Sequence, residues 1–190
     1  VPGPFLAPDD REYIPRETPL LSWELGGAAL NDPGAGLQVQ VWEFAVVDGN
    51  RITVKPLGGA AVVLYTGAEI TEVSGSFDSS MNPVIAFVER KQAKLRWYDP
   101  TQLGFVVTTF TDATSPRVTL DDKDPDAAAD RDVLMFFLRS GGILSYVQQR
   151  DRYGVTRDLA TISGAIALGR VGMHEYRRVQ IEVLTSGVPA

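Results

Sequence analysis

The chain contains no cysteine, and that absence removes disulfides, thiolate metal sites and cysteine nucleophiles together. It also leaves the redox compartment open, because a cysteine-free protein tolerates either. Histidine is almost as scarce. His174 is the only one in 190 residues, so a Ser/His/Asp triad would have to use it, and zinc sites generally draw on more than one nitrogen or sulfur ligand. It stands in Val171-Gly172-Met173-His174-Glu175, at an expected strand end, and reads as a surface or turn residue. Basic residues are outnumbered: 18 Lys and Arg against 24 Asp and Glu give a net charge of −6. A phosphate-binding surface needs clustered cations, so nucleic acid is not an expected partner. Long apolar runs are missing too. None approaches the ~18 to 20 residues that span a bilayer, and Val1-Pro2-Gly3-Pro4 lacks the basic start and apolar stretch of a signal peptide.

The chain is nonetheless 44% hydrophobic and 22% charged, which suits a folded protein with a real core. Residues 1–36 differ from the rest. Pro2, Pro4, Pro8, Pro15, Pro19 and Pro33 punctuate them, and Gly26, Gly27, Gly34 and Gly36 follow. Proline removes a donor and blocks helix interiors, so this part reads as an extended arm. It carries Phe5, Leu6, Tyr13, Ile14, Leu20, Leu21 and Trp23, each costing roughly 1.5 to 3 kcal/mol to leave in water. The arm is therefore expected to lie on something, either its own domain or a neighbouring subunit, and these seven residues are the candidate partner-binding set.

From Leu37 onward, short β-type runs alternate with turn signals every 8 to 12 residues, an all-β signature. Leu37, Val39 and Val41 alternate with Gln38 and Gln40, and Asp48-Gly49-Asn50 is a hairpin signal before Ile52 and Val54. No segment sustains a 3.6-residue apolar period. The best helix candidate, Asp126 to Arg131, is short and Asp-rich.

The chain also repeats itself. Val84-Ile85-Ala86-Phe87-Val88 aligns with Val133-Leu134-Met135-Phe136-Phe137, and Leu95-Arg96-Trp97-Tyr98 with Leu144-Ser145-Tyr146-Val147. Phe105-Val106-Val107 falls about where Tyr153-Gly154-Val155 does. Each copy reads as a three-run meander followed by a further strand, Ser115 to Leu120 after the first and Gly169 to Met173 after the second. A weaker copy runs from Leu37 to Tyr65, followed by Glu72 to Ser76. The run Val179 to Val183 either begins a fourth unit or closes the sheet.

The expected fold is thus all-β, with antiparallel meander repeats resembling propeller blades over about 37–82, 83–131 and 132–185, preceded by the arm over 1–36. A two-sheet β-sandwich is the alternative. The first strand of each copy is apolar on both faces, as a strand between stacked sheets would be. About three units fit, fewer than a closed propeller typically has, so outer faces would need the arm or another chain.

Site chemistry is sparse. Asp122, Asp124 and Asp126 have the spacing that opens a calcium loop, but Ala127 stands where Gly would follow and Val133 where Glu would close it. A solvated hairpin loop is the default and no metal or cofactor is expected. Trp42, Trp97, Tyr98, Tyr146 and Tyr153 could line a sugar-binding face or pack across strands. Gly26-Gly27, Gly58-Gly59 and Gly141-Gly142 lack a phosphate-loop frame and read as turns.

Several pieces together resemble a known family. They are Leu21-Ser22-Trp23-Glu24-Leu25-Gly26-Gly27, Gly36 to Trp42, Ser76-Phe77-Asp78, Met81-Asn82-Pro83, Trp97-Tyr98-Asp99, Ser115 to Lys123 and Gln148-Gln149-Arg150-Asp151-Arg152-Tyr153. The pattern is similar to virion structural proteins of tailed bacteriophages and prophages, from about residue 21 to near the end. The resemblance implies a non-enzymatic tail or tail-tip component located in the virion and made in the bacterial host cytoplasm. It implies homo-oligomers and other tail proteins as partners, leaves room for contact with a host surface, and supplies no catalytic residues. Asp124 departs from the pattern, which expects a basic residue after Asp121-Asp122-Lys123.

Overall fold

In the computed structural model, residues 27–31, 39–56, 58–121, 132–173 and 179–186 are described. They form fourteen strands. Sheet I holds β1 (Gly27–Asn31), β2 (Val39–Val47), β3 (Arg51–Pro56) and β4 (Val62–Thr66). Sheet II holds β5 (Ile70–Phe77), β6 (Pro83–Glu89), β7 (Gln92–Asp99) and β8 (Gly104–Phe110). Sheet III holds β9 (Thr114–Asp121), β10 (Asp132–Arg139), β11 (Ile143–Gln148) and β12 (Arg157–Thr161), and sheet IV holds β13 (Ala165–Met173) and β14 (Val179–Thr185). Within every sheet the strands pair antiparallel in chain order. No helix among the described residues is long and apolar enough to cross a membrane.

The meander expectation holds, and the grouping of strands differs from it. The three-run copies are β2–β3–β4, β6–β7–β8 and β10–β11–β12. Their followers β5, β9 and β13 pair forward, each opening the next sheet. Residues 67–69, 111–113 and 162–164 make these handovers. The sheets therefore begin at Gly27, Ile70, Thr114 and Ala165 rather than near 37, 83 and 132. β1 lies inside the expected arm, because Gly26-Gly27 does not prevent residues 27–31 from pairing with Val39 to Glu43. Tyr153-Gly154-Val155 is not a strand; it follows a 3-10 turn at Gln149–Asp151, and the strand comes after it.

The sheets stack face to face, and each interface has its own apolar cluster. Alternation along two strands explains this, since successive side chains of a strand point to opposite faces. On β6, Ile85 and Phe87 enter the cluster shared with sheet I, while Val84 and Ala86 enter the one shared with sheet III. On β10, Val133, Met135 and Phe137 face sheet II, and Leu134, Phe136 and Leu138 face sheet IV. All ten are buried. Four sheets with three interfaces replace the two-sheet alternative. The first strands lie side by side, β1 by β5, β5 by β9, and β9 by β13. The described sheets form no closed barrel or propeller: clusters join I to II, II to III and III to IV.

One glycine shows how closely the first interface packs. A Cβ on Gly75 would meet the Phe44 ring at 2.4 Å, and Phe44 is itself fully buried. Gly75→Ala must displace that ring, and overpacking of this kind costs about 1 to 3 kcal/mol. Urea unfolding should show a lower midpoint for this variant; an unchanged midpoint would contradict the packing of sheet I on sheet II.

Candidate functional site

The antiparallel topology sorts the connections to two ends of the stack. The β5–β6, β7–β8 and β11–β12 connections share one end. The handovers and the short β6–β7 and β10–β11 turns share the other. The first of these ends carries a polar cap built from residues far apart in sequence.

Three buried aspartates anchor the cap. Asp78 accepts the backbone N–H groups of Ser80 and Asn82 at 2.9 and 2.8 Å, the Asn82 side-chain amide at 3.0 Å and the Gln149 amide at 3.4 Å. Asp99 accepts the Thr101 N–H and hydroxyl at 2.9 and 2.8 Å, Gln102 at 3.2 Å and Arg152 Nη2 at 2.5 Å. Asp132 accepts the Arg150 N–H at 3.0 Å and its Nε at 2.6 Å. The 3-10 turn of sheet III thus grips two aspartates of sheet II and one of its own. Arg152 leaves the turn in the left-handed region at φ 53. That geometry carries Tyr153 down into the II/III cluster against Trp97, 5.2 Å between ring centroids. The Tyr153 hydroxyl is buried and has no hydrogen-bond partner among the described residues. Burial, with the charges of Asp132 and Asp78, pushes its titration well above the usual phenol value.

A second polar link ties the sheets at their first strands. Arg117 on β9 donates from Nε to the Gly169 carbonyl of β13 at 3.1 Å and from Nη1 to Glu72 of β5 at 2.8 Å. Ser74 of β5 accepts the Val118 N–H at 3.0 Å. One buried guanidinium in sheet III therefore contacts both neighbouring sheets. Its signal in the sequence is slight: a lone Arg within Ser115-Pro116-Arg117-Val118-Thr119-Leu120.

At the far end, Lys91, Asp112, Arg139 and Gly142 line an open groove of about 460 Å³. Asp112 accepts the Ser140 N–H at 3.1 Å and the Ser140 hydroxyl, and Arg139 lies 3.7 Å away. Asp112, Ser140 and Arg139 satisfy one another there.

The candidate residues from the sequence sort as follows. Phe5, Leu6, Tyr13, Ile14, Leu20, Leu21 and Trp23 lie outside the described residues, as do Asp122, Asp124, Asp126, His174 and the Asp126–Arg131 helix candidate. Among the described residues no group of three or more His, Asp or Glu is arranged to hold a metal. Of the five aromatics, four pack between sheets. Trp97 and Tyr153 are fully enclosed, Trp42 packs on Phe77 at 5.3 Å, and Tyr146 packs on Phe136 at 5.8 Å. Tyr98 differs. It meets Phe105 edge-on at 5.5 Å, and the Arg96 guanidinium lies 3.8 Å over that ring. Phe105 and Val107 are 43% and 44% exposed, so this is an open apolar strip along β8. Tyr98 is among the aromatics that the sequence singles out; Phe105 and Val107 are not, because Phe105-Val106-Val107 looks the same whether its alternate positions face a neighbour or water.

The chain matches no protein-family model, no curated protein and no solved structure. The geometry alone defines an open, repetitive all-β stack held by apolar interfaces and a polar cap.

The cap gives a pH-dependent expectation. Burial alone would raise the Asp99 carboxyl, but the Thr101 hydroxyl, Arg152 and the Thr101 N–H outweigh it and hold the pKa at about 2. The ordinary value is 3.8, so the folded state prefers the charged form. The resulting stability is present above about pH 4 and is lost as pH falls toward 2. Asp99→Asn should therefore lower the urea midpoint clearly at pH 6, and the gap to wild type should shrink by pH 2.5. A gap that stays constant with pH would contradict the charged role.

Proposed function

We propose that this chain is a non-enzymatic structural component of a bacteriophage tail, in the distal tail, tail tip or attachment complex. It assembles with copies of itself and with other tail proteins through its β stack and the segment ahead of it. The observation that carries the reading is the incompleteness of the stack. Three sheets have four strands and the last has two among the described residues. The segment ahead of β1 is apolar beyond what an isolated, water-exposed stretch favours.

The motif pieces behind the family resemblance support the structural role. Asp78, Asn82, Asp99 and Gln149 to Tyr153 come from four separate motifs, and all belong to the cap or pack beneath it. Residues used to lock one sheet on another serve a scaffold. The tail assignment itself rests on the resemblance.

Removal of residues 1–26 tests this. The clusters draw on residues from Trp42 onward, so the truncated chain should keep its β circular-dichroism spectrum. It should also run at the mass of one chain where the intact chain forms larger assemblies. An intact chain that stays a single copy, or a truncated one that assembles normally, counts against the proposal.

A second reading, a carbohydrate or host-receptor module of a phage tail, draws on the β8 strip. Aromatic faces beside a guanidinium suit sugar rings bearing acidic groups. Glycan binding that Tyr98→Ala and Phe105→Ala abolish would favour it, and a flat glycan screen would count against it.

A further inference from the structure

Sheet IV is half the size of its neighbours among the described residues. β14 pairs with β13 on one side only, and its other edge has no partner strand among the described residues. Val179–Thr185 is a seven-residue strand whose one charge is Glu182, with no proline. Exposed edges of natural sheets are usually shortened, charged or interrupted, because an open row of backbone N–H and C=O groups invites another strand. On one face of β14, Val179, Ile181 and Val183 pack against the III/IV cluster, so an added strand would extend an apolar surface already in place.

The repeat indicates what the added strands are. Counting from the first residue of a third strand to the first residue of the next sheet gives 19 residues from Arg51 to Ile70, 22 from Gln92 to Thr114 and 22 from Ile143 to Ala165. Those residues always hold the third and fourth strands of one sheet and the three-residue handover to the next. Counting the same 19 to 22 residues back from Gly27, where sheet I begins, lands between Phe5 and Pro8. Two runs free of proline follow, Asp9 to Ile14 and Leu20 to Leu25, separated by Pro15 to Pro19. The segment ahead of β1 thus has the length and the proline-free runs that the repeat spacing calls for in the second half of a sheet, and sheet IV holds the two strands of a first half.

We propose that the segment ahead of β1 in one copy supplies the third and fourth strands to sheet IV of a second copy, adding along the open edge of β14. This rests on the reading above that the chain assembles with itself. The second copy, rather than the same chain, follows from the handovers. Each of the three joins sheets that pack directly on one another, so strands handed over to β1 belong to a sheet lying against the outer face of sheet I. Within one chain, sheets II and III stand between sheet I and sheet IV. Joining the two halves across copies makes a head-to-tail contact, which gives a ring if the rotation closes and a filament if it does not.

The absence of cysteine permits a direct test in the full-length chain. One variant carries Glu12→Cys in the first proline-free run, and another carries Gln180→Cys on β14, where Gln180 is exposed. A short bismaleimide crosslinker relaxes the demand on register. The mixed variants should give a covalent species of twice the chain mass, and neither alone should do so to a comparable extent. The double variant should crosslink between copies. If the mixture gives no such species and the double variant instead closes on itself as a covalent single chain, the segment belongs to its own sheet IV and the proposal is overturned. If neither crosslinks, the β14 edge is not the acceptor. The native mass of the unmodified chain separates this from the broader reading: a single-copy mass defeats self-assembly itself, while an assembled mass without crosslinks defeats only this acceptor.

Discussion

The whole arrangement depends on two strands that are greasy on both sides. β6 and β10 each place alternate side chains into two different clusters, and a strand of that kind has no stable place at a sheet surface facing water. Burying both faces requires a sheet on each side, and each added sheet brings its own neighbour-facing residues. Stacking follows from this demand in the way repeat proteins build a continuous core from units that cannot bury their faces alone. The polar contacts come second. Arg117 and the cap aspartates do not create the interfaces; they set how one sheet is seated on the next.

The cap and the Arg117 link divide that task between the ends and the first strands. Arg117 contacts β5 and β13 from β9, so three sheets share one guanidinium near their first strands. Gln149, Arg150 and Arg152 act at the connection end, where Asp78 and Asp99 of sheet II meet the turn of sheet III. Each cap carboxylate accepts at least two hydrogen bonds, which offsets its removal from water. The apolar interfaces are non-directional, and these charged pairs supply the direction they lack.

Much of the fold was legible in the residues. The two-sided apolarity of Val84–Val88 and Val133–Phe137 placed them between sheets, and Asp48-Gly49-Asn50 marked the β2–β3 turn that forms with Asp48 and Gly49 at positive φ. The phase of the repeat was not legible. β9, which holds Ser115 to Leu120, follows β8 after three residues, and a link that short serves a hairpin as well as a step to the next sheet. Nor was β1, whose Gly-Ala-Ala-Leu-Asn carries little strand propensity and pairs through its backbone with β2. The cap escaped notice because Asp78, Asp99 and Asp132 stand in turn-like sequence, where aspartate ordinarily faces solvent. The pattern Asp99-Pro100-Thr101, an Asp accepting from the residue two ahead, was the local sign available. The calcium-like spacing of Asp122, Asp124 and Asp126 and the apolar set from Phe5 to Trp23 lie outside the described residues.

The handovers carry a mechanical consequence. The strand-ladder hydrogen bonds run within each sheet, whereas neighbouring sheets adhere mainly through oily contacts and a few polar links and are joined by only three residues of covalent chain. Such a body resists tearing along any one sheet and yields more readily where two layers meet. A load applied to its ends would be shed layer by layer, with slack released in parcels of roughly forty residues, and the intact layers would be left ready to re-seat when the load is removed.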